Sequence, residues 1–419
     1  MLVEVKKSEL LGRMKAPSSK SYTHRALILS ALAKGKSRIF NPLICDDTIA
    51  TLNCLEKIGI RIKKKKEFWE IEGGNLKPPK EILFCKESGT TFRLIIAVCS
   101  LIKGRCILSG ESSLLKRPIL PLLSALRKLG VKCKKEKNKI ILENNFLGGK
   151  TKIRGDISSQ FISALLLISP FCQKEVEIIL TTPLESTPYL LITLEMQNEF
   201  GVKIECSKDL RRFKIKRQNY RNRDYFVEGD WSSASPFLVG GAIAGRVEIK
   251  GLNFESIQAD KKIIEVLKKA GAGVIIKNGK IKVKRSSLRA FSFNVKDCPD
   301  LFPIICVLAS RTEGESEISG IRRLKFKESN RLEEMRKGLK RIGIGVRRRG
   351  DSFFVRGGIP KGGEIETKDH RIAMAFSILG LVSEKKIVIK NGECVVKSYP
   401  NYWEELKKLK AHIKIEDGK

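Results

Sequence analysis

TLNCLEKIGIRI, residues 51–62, joins an amphipathic helical run, a glycine and a short β-like stretch. The same order returns as LLSALRKLGVKC at 122–133, TLEMQNEFGVKI at 193–204, IIEVLKKAGAGVII at 263–276, MRKGLKRIGIGV at 335–346 and WEELKKLKAHIKI at 403–415. The turn falls at Gly59, Gly130, Gly201, Gly271, Gly343 and, without its glycine, Lys410; the intervals are 71, 71, 70, 72 and 67 residues. A glycine there suits a left-handed helix C-cap, which gives the position a reason to repeat. One helix–glycine–strand match is common in α/β proteins; the shared spacing is the signal.

A second marker has the same period. Small polar clusters precede apolar helical runs near Lys20, Gly89, Ser159, Ser232, Pro299 and Asp369, at intervals of 69, 70, 73, 67 and 70 residues. The chain therefore reads as six copies of one unit of strands and two helices, an α/β (α+β) layered fold. Six units make either one solenoid or two lobes of three, with the break between the third and fourth near Glu228-Gly229-Asp230-Trp231. The polar clusters also carry a chemical consequence. A helix N-terminus presents unpaired N–H groups and the positive end of a dipole, so several such ends facing one cleft trap anions.

Composition narrows the partners. The 419 residues suffice for two or three domains. No apolar run approaches 18 residues and the N-terminal stretch lacks a long apolar segment, so a cytoplasmic protein without a membrane span is expected. Eleven scattered cysteines without a CxxC pair, and three histidines, argue against a zinc site or a disulfide framework; neither metal nor organic cofactor is expected. A net charge of +36 favours anionic partners, phosphorylated metabolites or nucleic acid. The runs Lys63–Lys66 and Arg347–Arg349 lack nearby aromatic interleaving in sequence, so nucleic-acid binding ranks well below small anions.

Candidate site residues gather at the second marker. SSKSYTHRAL, from Ser18, sets Lys20, Ser21 and Arg25 at a helix start, a set suited to phosphate or carboxylate; the plain alternative is a cap with solvated charges. SGTTFRL puts Gly89 before an apolar helix, where the missing side chain lets an anion approach the backbone. Arg117 precedes Pro118, read as a helix-start proline. Ser158, Ser159 and Gln160 exceed what one cap needs, and Ser186 with Tyr189 opens a further helix. Asp300 reads as an N-cap carboxylate or a functional one. In FKESNRLEEM, Lys327 and Arg331 are spaced i,i+4 and Glu328 and Arg331 i,i+3, for which an exposed salt-bridged helix is the leading plain reading in so basic a chain. Asp369, His370 and Arg371 begin another apolar helix, and Lys397 lies before Pro400.

Taken in order, SKSxxxR, SSQF, EGDWSSASPFL, KESNRL and DHRIAMAF resemble the EPSP synthase family of enolpyruvyl transferases over about Gly12 to Leu406. The resemblance implies two lobes, each of three βαβαββ units around a pseudo-threefold axis, with the active-site cleft between them. It places residues 15–227 in one lobe and 228–419 with 1–14 in the other. It implies transfer of the enolpyruvyl group of phosphoenolpyruvate to the 5-hydroxyl of shikimate 3-phosphate, by addition and elimination, in the shikimate pathway to chorismate and the aromatic amino acids. The shikimate 3-phosphate site then comprises Lys20, Ser21, Arg25, Ser158, Ser159, Gln160, Ser186, Asp300 and Lys327. The phosphoenolpyruvate site comprises Lys20, Gly89, Arg117, Gln160, Arg331, Arg371 and Lys397. Asp300, Glu328 and Lys20 are the candidate proton-handling groups, and the partners are small anions acting on a monomer, without nucleic acid or membrane.

Two positions depart from many bacterial members. Arg323 and Glu87 each stand where asparagine is frequent. The nearest rival is the UDP-N-acetylglucosamine enolpyruvyl transferase, which carries Lys-Asn where Lys20-Ser21 stands and a loop cysteine that GESSLLKRPI lacks. A rival of another class is an RNA-binding or RNA-end-processing protein of related repeat. Its catalytic histidine and nucleotide-binding sequences are not apparent.

Overall fold

The turn residues of the first marker all fold with positive φ. Gly59, Gly130, Gly201, Gly271 and Gly343 lie between +84° and +97°, and Lys410 is forced to +71°. This computed structural model describes residues 1–143 and 145–416. Each turn ends a helix and starts a short strand, as in Asp46–Lys57 followed by Arg61–Lys64 and Tyr402–Lys408 followed by His412–Glu416. Lys410 keeps the turn without a glycine because the helix before it and the strand after it fix its place.

The chain divides into two units, Ser18–Glu228 and Met1–Pro17 with Gly229–Lys419. For brevity they are the inner-chain unit and the split unit. Among the described residues there are six four-stranded sheets, three in each unit. All six share one plan: a parallel pair at one edge, then two antiparallel pairings. In the first, Asp224–Phe226 runs parallel to Gly35–Phe40, which pairs antiparallel with Phe68–Gly73, which pairs antiparallel with Arg61–Lys64. The sixth runs Gly363–Glu366, Ile387–Lys390, Leu2–Lys6, His412–Glu416, so the two chain ends pair with each other. Its strands alternate, with Val3, Val5, Ile387 and Ile389 fully buried.

Inside each unit, helices that are apolar all round pack on one another, as all-round burial requires. In the inner-chain unit these are Lys20–Leu32, Gly89–Cys99 and Ser159–Ile168. Helix Gly89–Cys99 contacts both others. In the split unit Trp231–Ala244, Phe302–Ala309 and His370–Gly380 are in mutual contact. Every one of the six begins within three residues of a second-marker position.

The basic runs are not without rings. Lys65 Nζ lies 5.1 Å from the Phe68 ring centroid, and Arg347 Cζ 3.8 Å from that of Phe354. Cross-strand pairing of Arg347 with Phe354 supplies the contact, which linear spacing hides. Both are cation–π contacts, the first at a hairpin turn and the second across paired strands. No helix among the described residues is long and apolar enough to cross a membrane.

Candidate functional site

In the inner-chain unit, the first turns of the three buried helices carry one hydrogen-bonded set. Lys20 begins its helix and its Nζ donates to Asp47 Oδ2 at 2.8 Å. One turn on, the Arg25 side chain is buried. Its Nε donates to Thr193 Oγ1 at 2.8 Å, Nη1 to the Ser21 carbonyl at 3.0 Å and Nη2 to the Tyr189 carbonyl at 2.9 Å. These three partners are neutral, and guanidinium has five N–H donors. Burial draws Arg25 down to about 10, still charged at neutral pH. A buried cation on neutral acceptors leaves its charge for an incoming anion.

Gly89 and Gln160 join the second and third helices. Gln160 Nε2 donates to Thr90 Oγ1 at 2.9 Å, and its Oε1 accepts from Arg93 Nη1 at 2.5 Å. A Cβ added at Gly89 would lie 3.1 Å from Arg117 Nη1 and 3.2 Å from Arg93 Nη1, so glycine is what lets two guanidinium groups converge on that helix start. Ser158 caps the third helix by accepting from the Gln160 N–H at 3.3 Å; Ser159 is its first residue. Ser163, one turn on, bonds Thr193 and so meets the Arg25 set. Ser186 caps helix Thr187–Glu199 with φ 57°, a conformation a serine rarely adopts and one that signals a constrained site.

The split unit is built otherwise. Arg331, 1% exposed, holds three carboxylates: Asp300 through Nη1 at 2.7 Å, Glu328 through Nη2 at 2.6 Å and Asp369 through Nε at 2.8 Å. Lys327 Nζ is 3.0 Å from Asp300 Oδ1. Burial pushes Asp300 up, but Lys327, Arg331 and Arg371 together pull its carboxyl well below the usual range. Burial draws the Lys327 ammonium down, with Asp300 opposing. Arg331 stays charged: its carboxylates outweigh its desolvation. Arg371, in the first turn of its helix, is 6% exposed, and its Nε and Nη1 have no hydrogen-bond partner among the described residues. Lys397 is buried at the end of the 3-10 turn Gly392–Lys397, which packs on the same helix. No group of three metal-ligating side chains is gathered among the described residues; here the carboxylates surround a guanidinium.

The model of EPSP synthase (3-phosphoshikimate 1-carboxyvinyltransferase) matches residues 5–406. The chain belongs to the EPSP synthase family. The EPSP synthase relative from Dehalococcoides mccartyi is 42% identical over 418 residues, covering 99% of each chain. That from Methanocaldococcus jannaschii is 40% identical over 427 residues, again covering 99% of each. Both are named 3-phosphoshikimate 1-carboxyvinyltransferase. Among solved structures, EPSP synthase from Acinetobacter baumannii superposes with a TM-score of 0.85 at 27% identity, covering 99% of this chain and 100% of that one. An enolpyruvyl transferase from Streptomyces tendae shares the fold, with a TM-score of 0.79 at 16% identity over 99% and 98% of the two chains.

Within this EPSP synthase fold some local expectations change. Pro118 does not start a helix; Arg117 and Pro118 precede helix Leu120–Lys128, whose second residue is Pro121. Lys327 and Glu328 do not share a helix face with Arg331. Helix Arg331–Arg341 begins only at Arg331, and Lys327 meets it through Asp300. Glu87 turns to Ser113, whose hydroxyl donates to its Oε1 at 2.5 Å. Arg323 sits half-buried in the 3-10 turn Arg322–Phe326, where its charge lowers Lys327. Arg93 and Asp47 were missed. Arg93 looks like an ordinary helical arginine, yet its Gly89 + 4 position aims it back over the helix start, and that spacing was readable. Asp47 had no such signal, since it meets Lys20 across 27 residues.

Proposed function

We propose that this protein transfers the carboxyvinyl group of phosphoenolpyruvate to the 5-hydroxyl of shikimate 3-phosphate, releasing phosphate. It acts as a monomer on these small anions, in the cytoplasm and without nucleic acid or membrane. The observation that carries the reading is the Arg331 hub, which holds Asp300, Glu328 and Asp369 together beside Lys327 in a chain of this family.

Shikimate 3-phosphate is assigned to Lys20, Ser21, Arg25, Ser158, Ser159, Gln160, Ser186, Asp300 and Lys327. Phosphoenolpyruvate is assigned to Lys20, Gly89, Arg117, Gln160, Arg331, Arg371 and Lys397. In the first step the 5-oxygen bonds C2 while Asp300 takes the hydroxyl proton and Glu328, protonated from solvent once substrate anions draw Arg331 away from it, delivers that proton to C3. In the second, the C2–O bond to phosphate breaks, the departing phosphate takes the proton held by Asp300, and the C3 proton returns to Glu328. A carboxylate pulled down as far as Asp300 is a weak base. Substrate anions compete with it for Lys327 and Arg331, and each cation drawn to phosphate restores its basicity. Lys20, charge-paired with Asp47, neutralises the oxygen that gains charge.

The test is phosphate release from phosphoenolpyruvate with shikimate 3-phosphate or UDP-N-acetylglucosamine offered separately. Release with shikimate 3-phosphate alone, and its loss in Glu328→Gln, is expected. Release only with the sugar nucleotide overturns the substrate, and salt-sensitive RNA retention without release overturns the reaction class.

A further inference from the structure

Asp260 lies in the 3-10 turn Ala259–Lys262 of the split unit, 1% exposed. Its Oδ2 accepts a short hydrogen bond from the Ser232 hydroxyl in the first turn of helix Trp231–Ala244. Its Oδ1 is buried and has no hydrogen-bond partner among the described residues. A buried carboxylate oxygen without a donor is costly when ionised. The charged and titratable groups acting on it come from three elements. Asp230 caps helix Trp231–Ala244, Asp300 sits in the 3-10 turn Pro299–Leu301, and Arg371 opens helix His370–Gly380. Cys298, before that turn, is pushed well up by burial and stays neutral. Helix Ile263–Lys269, which follows, carries Glu265, Lys268 and Lys269 at exposed positions. Asp300 and Asp230 oppose a negative charge on Asp260; Arg371 favours it.

Two incompletely satisfied buried groups of opposite charge thus lie within electrostatic reach. Arg371 offers Nε and Nη1 without partners, and Asp260 offers Oδ1. We propose that Asp260 is a positioning residue: when ionised it draws on the charge of Arg371 in competition with the substrate anion, and when protonated it releases that charge. Burial first, and the Asp300 charge second, push Asp260 up to about 7, so the competition changes over the physiological range. Phosphoenolpyruvate on Arg371 draws off a cation favouring ionised Asp260, so binding takes up a proton. The assignment of Arg371 to phosphoenolpyruvate is part of the proposed function, and this inference rests on it.

The test compares wild type with Asp260→Asn, which keeps the shape and removes the charge. The phosphate of phosphoenolpyruvate ionises in the same range, so the difference between the two proteins is what is read. From pH 6 to pH 8, the KM of wild type for phosphoenolpyruvate is expected to rise about fivefold more than that of Asp260→Asn, with the KM for shikimate 3-phosphate unaffected. Parallel profiles within twofold overturn the proposal. If Asp260→Asn does not fold, Ser232→Ala decides. Losing the hydroxyl that favours the ionised form moves the wild-type break to higher pH, and an unmoved break overturns the proposal. If wild type shows no turnover, the proposed reaction fails separately. Calorimetry with phosphoenolpyruvate in two buffers at pH 7 then reads proton uptake directly. More proton uptake in wild type than in Asp260→Asn supports the role of Asp260, and equal uptake in both overturns it.

Discussion

The two units repeat one sheet plan three times each, yet they use charge in opposite ways. The inner-chain unit buries Arg25 on a hydroxyl and two carbonyls and converges Arg93 and Arg117 on a glycine. The split unit buries Arg331 among Asp300, Glu328 and Asp369. A cation on neutral acceptors has charge to give to a ligand; a cation among carboxylates organises groups that move protons. Identical architecture therefore says little about chemistry, which lives in side chains at or just before helix starts.

Arg331→Met breaks this comparison most severely. Removing the shared cation leaves three carboxylates with their desolvation uncompensated. Urea unfolding is expected to show a loss of about 3 to 5 kcal/mol. Next, Asp300→Asn is expected to lower kcat about 10²- to 10³-fold, with little change in the KM for phosphoenolpyruvate, as steady-state kinetics reads. Arg25→Met sharpens the contrast. It raises the KM for shikimate 3-phosphate about 10- to 100-fold, yet costs less stability than Arg331→Met because no buried carboxylate is stranded.

A smaller effect concerns Asp260. Between the usual aspartate value and about 7, the native state binds more protons at Asp260 than the unfolded state does, so its contribution to stability falls as pH rises through that window. Asp260→Asn removes the penalty. Its stability relative to wild type is expected to improve by about 2 kcal/mol from pH 5.5 to pH 8, measured by denaturant melts at both. The smallest effect is Lys410→Gly. Relieving φ +71° at the one repeat turn without glycine is expected to add up to about 1 kcal/mol, read as a rise in Tm.

Lys410 also shows how much could be read in the sequence. Its place in a 70-residue period identified the turn although the residue type was wrong for it. The helix starts were legible for the same reason: a polar cluster before an apolar run is local information. Tertiary placement was not. Asp224–Phe226 joins Gly35–Phe40 across nearly the whole inner-chain unit, and strand partners that far apart leave no local pattern. Asp47 meets Lys20 from the next helix, and Phe354 meets Arg347 across a hairpin, contacts that linear spacing also hides. The KESNRL segment failed in the other direction. Its i,i+4 spacing looked helical, but the residues before Arg331 are held in a bend by Asp300 rather than by helix hydrogen bonds.

Leu2–Lys6 lies between Ile387–Lys390 and His412–Glu416 in its sheet. On the ribosome that strand is made nearly 400 residues ahead of its two neighbours. At about 5 to 20 residues per second, it waits some tens of seconds without either partner. The Ser18–Glu228 unit meets no such delay and can close while the rest is still being translated. The newborn protein therefore passes through a stage with one half folded and an apolar strand, Leu-Val-Glu-Val-Lys, in need of shelter.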